Sequence, residues 1–176
     1  MSICEAVKDL CDQGRLHRLV AGGREPDRRI LCVSSPILDC LDAKWDDNIP
    51  EMERWARIRA RLMTFVVGDV IRVRVGRLTK RDRSDMVRLD DPSEEVWEFR
   101  YLQNKGSVRL FGRFAETNLF VATQCVARSE LGGPGDPAWE EAKKQCRTDW
   151  RNLLPAYPPH SAEDFPNGYL TNAITA

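Results

Sequence analysis

Histidine is almost missing from these 176 residues: only His17 and His160 are present, and they stand far apart. Neither belongs to a clustered ligand pattern, so a histidine-built zinc site has no basis. Six cysteines occur, at 4, 11, 32, 40, 125 and 146, but no Cys-x-x-Cys pair. In a cytosolic chain of this size they read as small buried hydrophobes rather than disulfides. Long apolar runs are lacking too, and the N-terminus has no apolar secretion core. A spanning helix needs about 20 such residues, so the expectation is a soluble, cytoplasmic protein. Net charge is zero as well, with 27 basic and 27 acidic residues. The charge is unevenly placed: residues 51–113 carry 15 Lys/Arg against 10 Asp/Glu. A basic middle suits an anionic partner, although the excess is modest.

What the chain has is a region of strand alternation from Val96 to Arg128. Trp97, Phe99 and Tyr101 share one face and Glu98 and Arg100 the other. Next, Val108, Leu110, Gly112 and Phe114 oppose Arg109, Phe111 and Arg113. Asn118 to Arg128 continues as a third strand. Successive strand side chains point to opposite faces, so one face can pack while the other meets solvent or ligand. The polar stretches 103–106 and 116–118 suit hairpin turns. The pattern predicts an antiparallel meander with arginines on an accessible face.

Helical spacing predicts further elements. Ile3, Ala6, Val7, Leu10 and Cys11 mark a helix over 3–13. Residues 14–28, with Gly22-Gly23 and Pro26, read as a linker. Ile30 to Val33 is a short apolar run that suits a buried strand, and residues 36–43 a helix. Asn48 suits the cap of another helix from about Pro50 to Val66, stopped by Gly68. The two form a helical hairpin, the second bearing an Arg54, Arg57, Arg61 stripe. Such a stripe is more often a solvated face than a binding site. Val70 to Val75 alternates as a strand, and the charged residues 77–95 read as a solvated loop. Asp136-Pro137 starts a closing helix that runs to about Leu154. Residues 155–176 hold four prolines and read as an extended tail, disordered or packed on a neighbour.

The expected class is α+β: a small antiparallel sheet, the meander 96–128, packed against an N-terminal helical hairpin and a C-terminal helix. The division is an N-terminal helix and linker (1–28), a main domain (29–154) and a proline-rich tail (155–176).

This order of elements resembles the RelE/ParE toxin superfamily, in particular its HigB-like, phage-derived branch. Trp97-Glu98-Phe99-Arg100 is similar to that branch's aromatic-Glu-aliphatic-Arg strand. Arg109 to Phe114 is similar to its arginine-and-aromatic strand, and Pro137, Glu140, Glu141, Ala142 and Arg147 follow in the family's order. Where the family has a phenylalanine and two lysines, this chain has Cys125-Val126-Ala127-Arg128. The resemblance implies the toxin of a type II toxin-antitoxin system, a metal-independent mRNA endoribonuclease needing no cofactor. It implies two partners, mRNA (often on the ribosome) and a cognate antitoxin.

In such a mechanism the ribose 2′-hydroxyl attacks the adjacent phosphate, and the enzyme aligns the groups and neutralises developing charge. Arginine suits that task through its two-pronged fork. The implied catalytic set is Arg100, Arg109, Arg113 and Glu98, with Arg128, Phe111, Lys105 and Tyr101 contacting nucleic acid. An exposed Phe111 would stack on a base; beneath the closing helix it would be packing. Glu98 and Arg100 could equally form a structural pair. Two alternatives stand beside the nuclease: a ParE-like inhibitor of a protein target, and a catalytically inactive interaction protein.

Overall fold

The computed structural model describes residues 1–23, 26–43, 48–76, 83–101, 106–133 and 135–176. Among the described residues, four α-helices and an eight-stranded mixed sheet make up an α+β fold. In chain order these are α1 (Ile3–Asp12), β1 (Leu16–Leu19), β2 (Ile30–Ser34), α2 (Ser35–Asp42), α3 (Ile49–Val66), β3 (Ile71–Val75) and β4 (Met86–Arg88). The series continues with β5 (Trp97–Tyr101), β6 (Val108–Glu116), β7 (Leu119–Ala127), α4 (Pro137–Leu153) and β8 (Ala173–Thr175). The strand order is β1-β2-β7-β6-β5-β4-β3-β8.

The expected meander is present as β5, β6 and β7, each antiparallel to the next. Thr117 and Asn118 close the β6–β7 turn, with Asn118 at φ +65°, a left-handed position that asparagine tolerates. The sheet around the meander is larger than expected and is not purely antiparallel. Strand β2 adds to β7 in parallel, β1 folds back on β2, β4 pairs with β5, and β3 and β8 extend the other side in parallel.

Two of those strands lie in stretches that read as loops. Leu16-His17-Arg18-Leu19 forms β1 inside the expected linker. Met86 and Val87 form buried β4 inside the expected charged loop. Both are too short for their alternation to stand out against polar neighbours. The rest of that charged segment, 77–82, lies outside the described residues, as do 102–105 of the first hairpin turn.

Helix ends follow the sequence signals. The Asn48 side chain accepts from the Glu51 N–H at 3.2 Å, and Asp136 accepts from the Ala138 N–H at 2.9 Å. Each cap satisfies an otherwise orphaned donor of the first turn.

Both faces of the sheet are covered. On one, α2 and α3 bring Ile37, Leu41, Trp55, Ile58, Leu62 and Phe65 onto Leu31, Val33, Phe99, Leu110, Phe114 and Phe120. On the other, α1 places Ala6, Val7 and Leu10 against Cys32, Ala115 and Val121. Beside it, α4 places Ala142 and Cys146 against Phe111 and Val87. The tail belongs to this structure. Tyr169 and Leu170 are fully buried, Phe165 packs against the same core, and β8 ends the sheet. Aromatic anchors hold it, and they recur with no helix or strand period that a sequence reading could detect.

Candidate functional site

The expected accessible arginine face is a buried one. Glu98 on β5 and Arg109 on β6 point to the α4 side, as alternation requires. There α4 and its neighbours exclude water: Glu98 is 0% exposed and Arg109 3%. Glu98 Oε2 lies 3.3 Å from Arg109 Nε, and Glu98 Oε1 lies 3.4 Å from Arg100 Nε. Arg100 also donates to the Ser84 hydroxyl at 3.1 Å, and Arg109 donates to the Val108 carbonyl at 3.0 Å. One carboxylate thus sits between two guanidinium groups.

Burial lowers the Arg109 pKa to about 10; Glu98 opposes that shift, and the charges of Arg100 and Arg128 add to it. Desolvation penalises the charged form, so a partner carboxylate is what makes a buried arginine tolerable.

Arg113, four residues further along β6, meets different partners. It donates to the Glu94 carbonyl and its guanidinium lies 5.8 Å from the centre of the Trp150 ring on α4. Burial lowers its pKa as well. The Glu94 carboxylate pairs with Arg147 of α4. Arginine, glutamate and helix therefore close over the sheet together.

The groups expected to contact nucleic acid are dispersed. Phe111 is fully buried and meets Trp139 of α4 edge-on, with ring centres 6.0 Å apart. It is packing under the closing helix, the second of its two expected roles. Arg128 is half-buried; it donates to the Gly132 carbonyl at 2.5 Å and lies over Trp139 at 5.6 Å. Tyr101 faces the opposite side of the sheet, in the core beneath α2 and α3. Burial pushes its hydroxyl pKa up, away from any use as a base. Lys105 lies outside the described residues. The structure brings together Glu98, Arg100 and Arg109, with Arg113 and Phe111 along the same strand face, and directs them at protein groups.

The stripe on α3 is also paired. Arg54 bonds Glu51, Arg57 bonds Glu53, and Arg61 bonds Asp85 before β4. Among the described residues no helix is long and apolar enough to cross a membrane.

Two buried polar centres had no sequence signal. Arg29 is 1% exposed. It donates to the carbonyls of Phe65 and Asp69 at the end of α3, and to those of Thr171 and Asn172 in the tail. It thereby ties helix, sheet and tail through backbone oxygens, and it lies over the Phe65 ring at 5.3 Å. On the other side of β5, the Tyr169 hydroxyl donates to Glu95 at 2.8 Å and receives a bond from Arg88 at 2.8 Å. Both depend on partners more than 70 positions away for at least one contact, and no local pattern encodes such distances.

Compared with protein-family models, curated proteins and solved structures, the chain matches none.

Proposed function

We propose that this chain is a non-cleaving, protein-directed relative of the RelE/ParE group, in the manner of a ParE-like inhibitor or an inactive interaction protein, rather than an mRNA endoribonuclease. The observation that carries this reading is the burial of Glu98, Arg100 and Arg109 as one ion cluster. Charge stabilisation of a phosphate requires donors aimed at the place where charge develops. Here the guanidinium groups lie against Glu98 as ion pairs and donate to Ser84 and to a backbone carbonyl. Opening the cluster to RNA would strip a buried carboxylate of its partners, at a cost of several kcal/mol.

The family side of the proposal rests on element order. From β2 to α4 the chain runs strand, two helices, then a meander and a closing helix, with β3 and β4 inserted before the meander. A cognate antitoxin and a protein target are the partners this reading calls for. A cytoplasmic setting goes with it, and all six cysteines are free thiols.

The test is induced expression in bacteria, with RNA 5′ ends mapped across the transcriptome. The expected result is an unchanged set of ends, with growth arrest marking an inhibitor and normal growth an inactive interaction protein. New ends that accumulate within coding sequences would overturn the proposal.

A further inference from the structure

Cys11 and Cys32 come from elements with no local relation. One ends α1 and the other is central in β2, 21 positions further on. Their sulfurs nevertheless lie 3.8 Å apart. Cys32 is 1% exposed, while Cys11 is half-buried. Cys11 also lines a cavity of about 330 Å³, together with His17, Arg18, Leu38 and Met63. One thiol of the pair is therefore reachable from outside and the other only through it.

We propose that Cys11 and Cys32 form a reversible redox site, in which a small disulfide such as oxidised glutathione drives an internal cross-link that pins α1 to the sheet. The Cys11 thiolate attacks one sulfur of the oxidant, and the oxidant's S–S bond breaks to release one thiolate. Cys32 attacks the Cys11 sulfur of the mixed disulfide, and its proton passes to the departing glutathione sulfur. The Cys11–glutathione bond breaks and the second glutathione leaves. Two protein thiols are oxidised and one disulfide is reduced to two thiols.

Bond formation needs the sulfurs to close by about 1.8 Å to the ordinary 2.04 Å, a distance within reach of side-chain rotation at the end of a helix. Burial pushes the Cys32 thiol up, which makes the second step the slow one; Arg18, opposite Cys32 on β1, pulls the other way. The link would fasten the helix that carries Ala6, Val7 and Leu10 onto Cys32, Ala115 and Val121. Closing a loop of this length restricts the unfolded chain and raises stability.

The test is incubation of the full chain with oxidised glutathione, followed by tryptic mass mapping. The expected product joins peptide 9–15 to peptide 30–44 and carries no glutathione. Cys40 shares the second peptide, so Cys40→Ser must keep the link and Cys32→Ser must lose it. Cys11→Ser, at the more exposed position, must leave Cys32 unmodified. The thermal midpoint of the oxidised protein is expected to rise by about 8 °C and to fall back with dithiothreitol. Glutathione left on Cys11 without a cross-link, a link that runs through Cys40, or an unchanged midpoint would overturn the proposal.

Discussion

Glu98 approaches Arg109 at 3.3 Å while completely shielded from solvent. In that setting each charge is tolerable because the other is there. Removing Glu98 leaves Arg109 buried without its carboxylate, which costs about 3–5 kcal/mol. Glu98→Ala is expected to lower unfolding free energy by that amount in urea titrations, and Arg109→Ala by less, because Arg100 still faces the carboxylate. A change under about 1 kcal/mol would place both groups in water. The same dependence makes the alanine variants ambiguous in a growth assay, because lost toxicity would report lost folding.

Gly112 sets how closely β6 approaches β7 where their register shifts. A Cβ there would lie 2.2 Å from the Val121 carbonyl oxygen and 2.7 Å from the Phe120 ring. Neither neighbour can move freely, so Gly112→Ala is expected to destabilise by about 3 kcal/mol. Gly133 has nothing within 4 Å of the same added atom. Gly133→Ala is the matched control, and its unfolding midpoint should stay close to that of the parent.

Tyr169 fixes the tail. Its ring centre lies 4.9 Å from that of Trp97 and 5.6 Å from that of Phe114. Truncating a fully buried aromatic costs about 3–5 kcal/mol, the expectation for Tyr169→Ala. Tyr169→Phe keeps the packing and loses the bond to Glu95, at about 1–2 kcal/mol. Limited proteolysis of the parent should spare residues 160–172, and Tyr169→Ala should expose them. Rapid trimming of the parent to about residue 155 would show the tail to be unattached.

Alkaline pH should weaken the fold through its buried thiols. Burial raises Cys146 from an ordinary 9.0 to about 11 and Cys125 to about 12. Below pH 9 these thiols are neutral folded or unfolded, and their burial counts in full. Above it the unfolded chain releases protons that the folded chain keeps, so stability falls as pH climbs towards 11. The urea midpoint should hold from pH 7 to 9 and then decline, and Cys146→Ala should make the decline shallower.

The sequence makes individual elements easier to read than their surroundings. Trp97 to Tyr101 and Val108 to Phe114 alternate clearly, and Asn48 and Asp136-Pro137 mark helix starts through capping chemistry. Alternation cannot say whether the second face meets water or another layer. Arginines opposite aromatics look solvent-facing, yet every residue of β6 except Glu116 is buried. Glu98 is the clue: a carboxylate two residues from Arg100 can neutralise arginines inside a protein. The long-range attachments were beyond reach. Arg29 finds its acceptors in the tail, and β8 finds β3 across about 100 residues. The Cys11–Cys32 approach likewise joins a helix end to a strand with no motif between them.

Arginine accessibility in the native protein tests the central claim most directly. The folded chain would be treated with phenylglyoxal and the modified sites mapped by mass spectrometry, with and without single-stranded RNA. Arg57 and Arg83 are exposed and serve as reactive references. Arg100, Arg109 and Arg113 are expected to stay unmodified until the protein is unfolded, with RNA making no difference. Modification of all three at the reference rate, suppressed by RNA, would contradict the account.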